Sequence, residues 1–420
     1  MPENQREFLE ALFQVSVKAA DPLHCLAPFL PPKPQGRIIV LGAGKAAASM
    51  AKAVENAWGG DVEGLVVTRY DHGLALDHIE VVEAAHPVPD VAGMDAAKRI
   101  YELASSARQG DLVLCLMSGG ASSLLSLPGG DLDLNHKQLI NKALLKSGAD
   151  ITEMNCVRKH LSAIKGGRLA TAAHPAQVVT LAISDIPGDD PATIGSGPSL
   201  GDTTTVAQAV AILDKYAIEV PGPVKAHLES DAAKTPAPED SRLSGNQFKM
   251  IATSQTSLNA AAEFAKSRNI TPVILGDSIE GEAREVAIVM AGIARQVAKF
   301  DQPAHAPCVL LSGGETTVTV KGSGRGGRNA EFLLALLNEL KDHPGIYAIA
   351  CDTDGVDGSE DNAGAYIGPD SHRRASLAGL NAAAHLSCND GYGFFQVLGD
   401  LIITGPTLTN VNDFRAILIE

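Results

Sequence analysis

The sequence predicts an α/β protein with two domains, a larger N-terminal one over residues 1–240 and a smaller C-terminal one over residues 246–420. In both halves, short apolar runs typical of buried strands alternate with longer stretches that have the spacing of amphipathic helices. Proline, alanine and charged residues dominate residues 221–245, a composition typical of a domain boundary. We therefore expect one α/β unit on each side of this segment.

Composition and charge exclude several classes of protein. The chain has 420 residues, with 34 Lys and Arg against 49 Asp and Glu, and a formal net charge of -15. An acidic surface of this kind argues against binding to nucleic acid or to an anionic membrane. No run of about 18 apolar residues is present, so a membrane span is not expected. The six cysteines lack CxxC spacing, and we expect a cytoplasmic protein without structural zinc.

A glycine turn after the first predicted strand is the first candidate binding feature. Residues 37–41 are predicted to be a strand, and Gly42, Gly44 and Lys45 lie in the turn that leads into an alanine-rich helix. The turn loosely fits the dinucleotide-binding pattern, but the next strand ends at Arg69, where that pattern leads to an acidic residue for the ribose. A second interpretation fits Lys45 better, because an ammonium group at such a turn can reach the phosphates of a nucleotide.

Two buried strands, one in each half, are predicted to end in the same Ser-Gly-Gly sequence. These strand-end loops contain Ser118, Gly119 and Gly120 after residues 112–117, and Ser312, Gly313, Gly314 and Glu315 after residues 309–311. Ligands of open α/β sheets lie beyond the carboxyl ends of the strands. We therefore expect both loops to face one cleft, where their serines can form hydrogen bonds to an anion or a hydroxyl group.

The second Ser-Gly-Gly loop leads into a glycine-rich segment with two arginines. The alternation in residues 316–320 predicts a strand paired with residues 309–311. Arg325, Arg328 and Asn329 then precede a predicted helix. A glycine loop that opens a helix presents unpaired N–H groups to an anion, and guanidinium groups bind carboxylate or phosphate in a bidentate manner. The segment therefore predicts an anion site.

Aspartates follow two further predicted strands. Asp185 and Asp189 lie in a loop rich in proline and glycine, and Asp352 and Asp354 follow the strand at residues 346–350. The second loop begins like a calcium-binding loop but lacks the glutamate at its twelfth position, so Mg²⁺ or a substrate hydroxyl is the better ligand. Cationic loops together with rigid aspartates favour phosphoryl transfer to a small hydroxylated acid. Spacing does not distinguish the two aspartates within either loop.

Eight motifs follow one another along nearly the whole chain: LGAGKAA, HPVPD, MSGGASSLL, RKHLSAIKGGRLA, SDIPGDDPATIGSGPS, LSGGETTVTVKGSGRGGRNAEF, CDTDGVDGSEDNAGA and GDLIITGPTLTNVNDFR. This succession resembles the glycerate 2-kinases of the MOFRL family. The resemblance implies a larger Rossmann-like N-terminal α/β sandwich and a smaller C-terminal α/β MOFRL domain, with the active site in the interdomain cleft. It further implies that the enzyme uses ATP and Mg²⁺ to phosphorylate D-glycerate at its 2-hydroxyl, giving 2-phosphoglycerate and ADP. A homodimer is the default expectation for such an enzyme.

The resemblance also implies roles for individual residues. Lys45 and Arg325 match the basic active-site positions of the family, and Arg328 lies close by in the sequence. Asp189 and Asp352 match its acidic positions and are the expected metal ligands. On this basis, Lys45 contacts the transferring phosphoryl group, Arg325 holds phosphate or the glycerate carboxylate, and Asp189 aligns the 2-hydroxyl. The residues expected on the substrate side are Arg328, Asn329, Asp354 and Asp185. The two Ser-Gly-Gly loops and Glu315 would flank the nucleotide and the substrate.

Two other functions remain open. An NADPH-dependent hydroxypyruvate reductase would use the turn at Gly42 together with Arg69, and members of the family have carried that label. The missing third glycine and the many aspartates argue against it. A non-catalytic module that binds sugar acids would use the same arginines, but it would leave the strand-end carboxylates unexplained.

Two basic features carry no assigned role. His86 lies in a proline-rich loop, and we interpret it as structural. The basic residues between Arg158 and Arg168 lie near the end of a predicted helix. There they either suit the helix dipole or contact the substrate, and the sequence favours neither.

Overall fold

The computed structural model describes residues 4–420, which divide into two compact units. The N-terminal unit consists of Pro22–Ser184 and Asp189–Ile251, and the C-terminal unit consists of the residues up to Asp21, Asp185–Gly188 and Ala252–Glu420. The first helix thus belongs to the C-terminal unit, although the sequence placed it in a domain of residues 1–240. The reason is its apolar face, since Leu9, Leu12 and Phe13 are buried in the core of that unit.

Helices and strands are numbered in chain order, and the first helix, α1, is Gln5–Ala20. The N-terminal unit then contains α2 Pro22–Cys25, β1 Ile38–Ala43, α3 Ala47–Trp58, β2 Glu63–Arg69, β3 Ile79–Ala84, α4 Val91–Ser105, β4 Leu112–Met117, α5 Ala121–Leu124, α6 Leu134–Ser147, α7 Ile151–His160, α8 Arg168–Ala172, β5 Gln177–Ile183, α9 Val206–Lys215, α10 Gly222–Leu228 and β6 Gln247–Ala252. Short 3-10 turns lie at Ala27–Phe29, Ile194–Ser196, Asp231–Ala233 and Ser241–Leu243.

The sheet of the N-terminal unit has the strand order β3-β2-β1-β4-β5-β6. The first five strands in this order, β3, β2, β1, β4 and β5, are all parallel. Strands β1 and β4 are buried along their whole length. This is the Rossmann-like order that the sequence resemblance implied. Because the direction of winding reverses between β1 and β4, the carboxyl ends of these two strands flank the usual ligand position of such folds.

The C-terminal unit contains α11 Ser254–Ser267, β7 Thr271–Gly276, β8 Gly281–Glu282, α12 Ala283–Phe300, β9 Cys308–Ser312, β10 Thr316–Thr317, α13 Arg328–Leu340, β11 Ile346–Asp352, β12 Gly364–Ile367, α14 Ser371–Leu377, α15 Ala382–Ser387, α16 Gly391–Leu398, β13 Leu401–Ile402 and β14 Asp413–Ile419. Its main sheet has the order β13-β12-β11-β14-β9-β7 and is mixed. Only β7 and β9 are parallel to each other; the other neighbours are antiparallel. None of the helices within residues 4–420 is long and apolar enough to cross a membrane.

Helices cover both faces of this mixed sheet. Along β11, Ala348 packs with α12 and α13, whereas its neighbour Ile349 packs with α1 and α11. Successive side chains of a strand point to opposite faces, so a fully apolar strand is expected where both faces are covered. The burial of α1 is therefore an integral part of this unit's core.

The predicted hairpin after residue 309 does not form. β10 is only two residues long and pairs with β8 in parallel, while β9 lies between β14 and β7. Gly314 has a φ of 109°, and a Cβ there would lie 2.2 Å from the backbone nitrogen of Ile279. The chain leaves the sheet at this glycine, and β14, from the far end of the sequence, takes the position that the hairpin partner would have occupied.

Candidate active site

The turn after β1 and the loop after β4 meet in the N-terminal unit. The backbone N–H of Lys45 donates to the carbonyl of Gly119 at 2.8 Å, and the N–H of Ala46 donates to Ser118 Oγ at 3.0 Å. Gly44 has a φ of 132°, and a Cβ there would lie 2.1 Å from Ser118 Oγ. The glycine is therefore needed for close packing of the two segments. The N–H groups of Gly44, Lys45 and Ala46 are bonded within the protein, so the side chain of Lys45 is a better candidate for phosphate contact than the backbone of its own turn.

Gly120 links this turn to a histidine that the sequence analysis interpreted as structural. Its φ is 82°, and a Cβ there would lie 3.0 Å from His86 Cδ2 and 3.7 Å from Lys45 Cγ. Lys45, Gly120 and His86 therefore lie together at the carboxyl end of β4. The motif HPVPD was the only signal in the sequence that could have indicated this position for His86.

A cavity of about 180 Å³ adjoins these residues. It is lined by His86, Pro87, Pro89, Gly120, Ser122, Ser123, Ser126, Lys137, Ile140, Asn141, Leu144, Val157, Arg158, Leu161 and Lys165. Among the described residues in its wall, three are lysine or arginine and none is aspartate or glutamate. We call Lys137, Arg158 and Lys165 the cation triad.

The side chains of the cation triad donate hydrogen bonds to neutral groups. Lys165 Nζ donates to the carbonyls of Ser122 at 2.8 Å and Gly195 at 3.2 Å. Lys137 Nζ donates to the carbonyl of Leu127 at 3.3 Å. The Arg158 guanidinium donates to the side-chain oxygens of Asn141 at 2.7 Å and Asn155 at 3.5 Å. Among the residues that the structure describes, the positive charge of the triad is thus solvated by dipoles and not by a carboxylate.

Burial lowers the pKa of each member of the triad, and repulsion from neighbouring cations adds to the shift of the two lysines. Burial, assisted by Arg158 and Arg168, lowers the pKa of Lys137 to about 7. Burial, with repulsion from Lys137 and Arg158, lowers the pKa of Lys165 well below its ordinary value. Burial also lowers the pKa of Arg158 to about 10. Lys137 was not among the predicted site residues, and the sequence favoured neither of the two roles for the basic segment around Arg158.

The other members of that basic segment have structural partners. Lys159 Nζ lies 3.2 Å from Asp202 Oδ1, and both side chains are buried. Arg168 donates to the carbonyls of Lys159, Ala232 and Lys234. Only part of the segment therefore faces the cavity.

In the C-terminal unit, Arg328 is surrounded by carboxylates. Its guanidinium contacts Asp413 at 2.7 Å, Glu315 at 2.8 Å and Asp352 at 2.8 Å. Burial alone lowers the pKa of Arg328, but Asp413, Asp352 and Glu315 outweigh it and raise that pKa well above its ordinary value. Arg415, which is fully buried, pairs with the second carboxylate oxygen of Asp413, the one that Arg328 Nε does not contact. We call these five residues the Arg328 cluster, and in it the donors of Arg328 are engaged by the protein's own acids.

The N-terminus of α13 also has a protein anion where the sequence analysis expected a ligand. The N–H groups of Asn329 and Ala330 donate to the two oxygens of Asp357 at 2.9 and 2.8 Å. Asn329 Nδ2 donates to Asp413 at 2.8 Å. Gly327 is required here, since a Cβ would lie 2.4 Å from Asp357 Oδ1. The expectation of unpaired N–H groups at this helix end was therefore wrong, because a carboxylate from the loop after β11 caps the helix.

Arg325 differs from Arg328 in its exposure. Half of its side chain is exposed, its guanidinium lies 4.2 Å from the ring centroid of Tyr392, and its Nε is 3.4 Å from Glu360. A Cβ at Gly324 would lie within 2.6 Å of the backbone of Asp390. The glycines around Arg325 thus allow the loop to pack closely, while the arginine head remains at the surface.

The predicted acidic residues have unequal surroundings. Asp352 and Asp354 are both buried, and the Asp354 N–H donates to Asp352 Oδ1 at 3.0 Å. Asp185, in the C-terminal unit, accepts a hydrogen bond from Asn410 at 2.9 Å. Asp189, in the N-terminal unit, is partly exposed and has a φ of 54°. Within residues 4–420, no three His, Cys, Asp or Glu side chains are grouped so that they could hold a metal ion.

The second Ser-Gly-Gly loop repeats the packing of the first. The N–H of Gly313 donates to the carbonyl of Gly276 at 2.9 Å, and its carbonyl accepts from Ile279 at 3.2 Å. A Cβ at Gly313 would lie 2.1 Å from Ser254 Oγ. Both loops therefore need glycine for contact with a neighbouring segment, and their assignment to the nucleotide remains a prediction.

A Rossmann-ordered sheet with lysine, histidine and a cation-lined cavity at its strand ends defines an α/β enzyme that acts on a small anionic ligand. Family models match residues 8–229, described as a domain of unknown function, and residues 308–413, described as the MOFRL family. The D-glycerate 2-kinase of Thermotoga maritima is 38% identical over 414 residues, which are 98% of this chain and 98% of that protein. The chain belongs to the MOFRL family of glycerate kinases.

Further comparisons agree in fold. The crystal structure of a glycerate kinase from Thermotoga maritima matches with a TM-score of 0.91 at 37% identity and covers 100% of both chains. A protein of Agrobacterium vitis is 50% identical over 417 residues, 99% of this chain and 94% of its own length. That protein is named as a hydroxypyruvate reductase, with a qualifier in the name that marks the activity as unproven. The fold and the family that the motifs indicated are thus confirmed.

Proposed function

We propose that the protein transfers the γ-phosphoryl group of ATP to the 2-hydroxyl of D-glycerate, giving 2-phosphoglycerate and ADP. The observation that carries this proposal is the relationship to the D-glycerate 2-kinase of Thermotoga maritima, which spans 98% of both chains. The geometry at the ends of β1 and β4 supports it. Lys45 lies there beside Gly120 and His86, where a cation can stabilise a transferring phosphoryl group.

In the proposed reaction, the 2-hydroxyl oxygen attacks the γ-phosphorus, and the bond to the oxygen that bridges the β- and γ-phosphorus breaks. The hydroxyl proton passes to Asp189, and ADP leaves with the bridging oxygen. Lys45 stabilises the charge on the transferring group. Arg325 binds phosphate oxygens or the carboxylate, and its exposed guanidinium suits this role better than the enclosed guanidinium of Arg328.

Mg²⁺ is part of the proposal. It usually binds through one or two carboxylates together with water and substrate phosphates, so a protein cluster of three acids is not required. Asp189 fits this role as a partly exposed carboxylate. Asp352 fits less well, because its Oδ2 lies 2.8 Å from Arg328. The ion would neutralise charge on the phosphates of the nucleotide.

We also assign supporting positions to the two Ser-Gly-Gly loops, beside the nucleotide and the acceptor. Arg328 and Asn329 would act by holding the carboxylates of the Arg328 cluster in place. Asp185 and Asp354 would order the loops that carry Asp189 and Asp352. For the cellular setting we propose a cytoplasmic homodimer, which gel filtration with light scattering tests directly.

A coupled product assay tests the function. Purified protein is supplied with D-glycerate, ATP and Mg²⁺, and enolase without phosphoglycerate mutase reports 2-phosphoglycerate only. We expect activity in the wild type, and a loss of about a hundredfold or more in Lys45→Ala and Arg325→Ala, which corresponds to roughly 2.7 kcal/mol. Lys52→Ala changes a partly exposed lysine on α3, the helix that follows the turn, and should retain wild-type activity. A silent wild type that oxidises NADPH with hydroxypyruvate would overturn the proposal.

A further inference from the structure

The cavity beside Gly120 holds an imbalance of charge. Lys137 comes from α6, Arg158 from α7 and Lys165 from the segment that follows, so three parts of the chain each contribute a cation. A buried charge without a counter-charge destabilises the folded state by several kcal/mol. The described wall contains no carboxylate that offsets this cost. The natural compensation is an anionic ligand.

We propose that the cation triad binds the carboxylate of the acid that the enzyme phosphorylates, with the hydroxyl-bearing end of the acid directed toward Lys45. This inference rests on the proposed function, and it assigns the substrate's carboxylate to a specific place in the N-terminal unit. Gly120 supports the orientation, because it belongs to the cavity wall and also lies against the side chains of His86 and Lys45.

The size and the walls of the cavity indicate which acids fit. Its volume of about 180 Å³ is below the roughly 300–1,000 Å³ typical of pockets for drug-sized ligands. A short hydroxy acid fits such a space, whereas a nucleotide does not. Ile140, Leu144 and Val157 form apolar walls, and these walls strengthen attraction between the triad and a bound carboxylate by lowering the local dielectric constant.

Protonation provides a second sign of the same binding event. Lys137 faces Arg158 from α7, Arg168 from α8, and Lys165 and His86 from loops, and burial among these groups lowers its pKa to about 7. A carboxylate placed beside Lys137 favours the charged ammonium and raises that pKa. Binding of D-glycerate near pH 8 is therefore expected to take up protons from the buffer.

The test compares Arg158→Gln and Lys137→Met with Lys142→Met, which removes an exposed lysine on α6 outside the cavity. In the two cavity variants the KM for D-glycerate should rise about 10- to 100-fold, the range that one charge-assisted hydrogen bond supplies. The KM for ATP should stay within about twofold. Lys142→Met should match the wild type in both constants, and circular dichroism should show all three variants folded.

Calorimetry without ATP gives an independent readout. D-glycerate should bind the wild type at pH 8 with a heat that depends on the ionisation enthalpy of the buffer, and glycerol, which has no carboxylate, should not bind. Wild-type affinity for D-glycerate in both cavity variants would overturn the inference, and so would a rise in the KM for ATP alone.

The two proposals can fail separately. If the wild type phosphorylates D-glycerate and the cavity variants keep its KM, the function stands and the carboxylate site is wrong. If the wild type forms no 2-phosphoglycerate but binds D-glycerate through Arg158, the carboxylate site stands and the proposed function is wrong.

Discussion

The Arg328 cluster and the cation triad hold buried positive charge in opposite ways. In the C-terminal unit, the Arg328 cluster surrounds two guanidinium groups with three carboxylates. In the N-terminal unit, the cation triad lines a cavity whose described wall contains no acid. A buried ion is tolerated where it is paired and costly where it is not. The paired cations therefore act as scaffold here, whereas the unpaired cations are the ones that we propose bind a ligand.

The largest expected effect is a loss of stability when a carboxylate of the Arg328 cluster is neutralised. Asp413→Asn keeps the shape of the side chain but leaves Arg328 and Arg415 without their shared counter-charge. We expect the free energy of unfolding to fall by about 3–5 kcal/mol, measured by urea denaturation followed by circular dichroism. Glu315→Gln is the matched control, because the Glu315 side chain is 46% exposed, and its loss should stay below about 1 kcal/mol. Equal urea midpoints for Asp413→Asn and the wild type would show that the cluster is not a scaffold.

A smaller change, a gain in stability, is expected when a lysine of the cation triad is removed. Lys137→Met removes an uncompensated buried cation, so the free energy of unfolding should rise by about 1–2 kcal/mol at pH 7, even though a hydrogen bond to Leu127 is lost. Lys142→Met, exposed on the same helix, should change it by less than about 0.5 kcal/mol. A destabilised Lys137→Met protein would remove the contrast between the two regions.

Lys137→Met should also change how the free energy of unfolding depends on pH. The unfolded chain keeps the proton of Lys137 up to roughly pH 10.4, whereas the folded protein releases it at about 7. Since the unfolded state binds more protons across this window, wild-type stability should rise with pH from about 7 to about 10. Urea titrations at several pH values should show a smaller rise in Lys137→Met.

The smallest expected effect concerns Asp357, which caps α13. Burial raises its pKa to about 6, although the N–H groups of Asn329 and Ala330 oppose the shift. The folded protein therefore holds this proton between about pH 4 and 6 after the unfolded chain has released it, and stability should fall with rising pH over that window. We expect Asp357→Asn to lack this component, measured as the difference in urea midpoint between pH 4.5 and 6.5. Identical pH profiles for the two proteins would contradict the raised pKa.

Much of the fold and part of the site could be read from local patterns. The strand Leu112–Met117 has the predicted bounds, because an apolar run is a property of neighbouring residues. The motif succession identified the family, and the turn at Lys45 was placed correctly at the end of β1. These features depend on residues that are close together in the sequence, so they can be predicted without knowledge of the tertiary structure.

The remaining features depend on partners that are distant along the chain. Arg328 was expected to hold a ligand, but its guanidinium binds Asp413, 85 residues away. The hairpin partner of β9 was replaced by β14, and α1 was buried in the C-terminal unit. Lys137 showed no signal, because it is an ordinary helical lysine until Arg158 and Lys165 are folded against it. Whether a charge is paired or left for a ligand is settled by long-range packing, since the cost of burying an ion depends on every group that surrounds it.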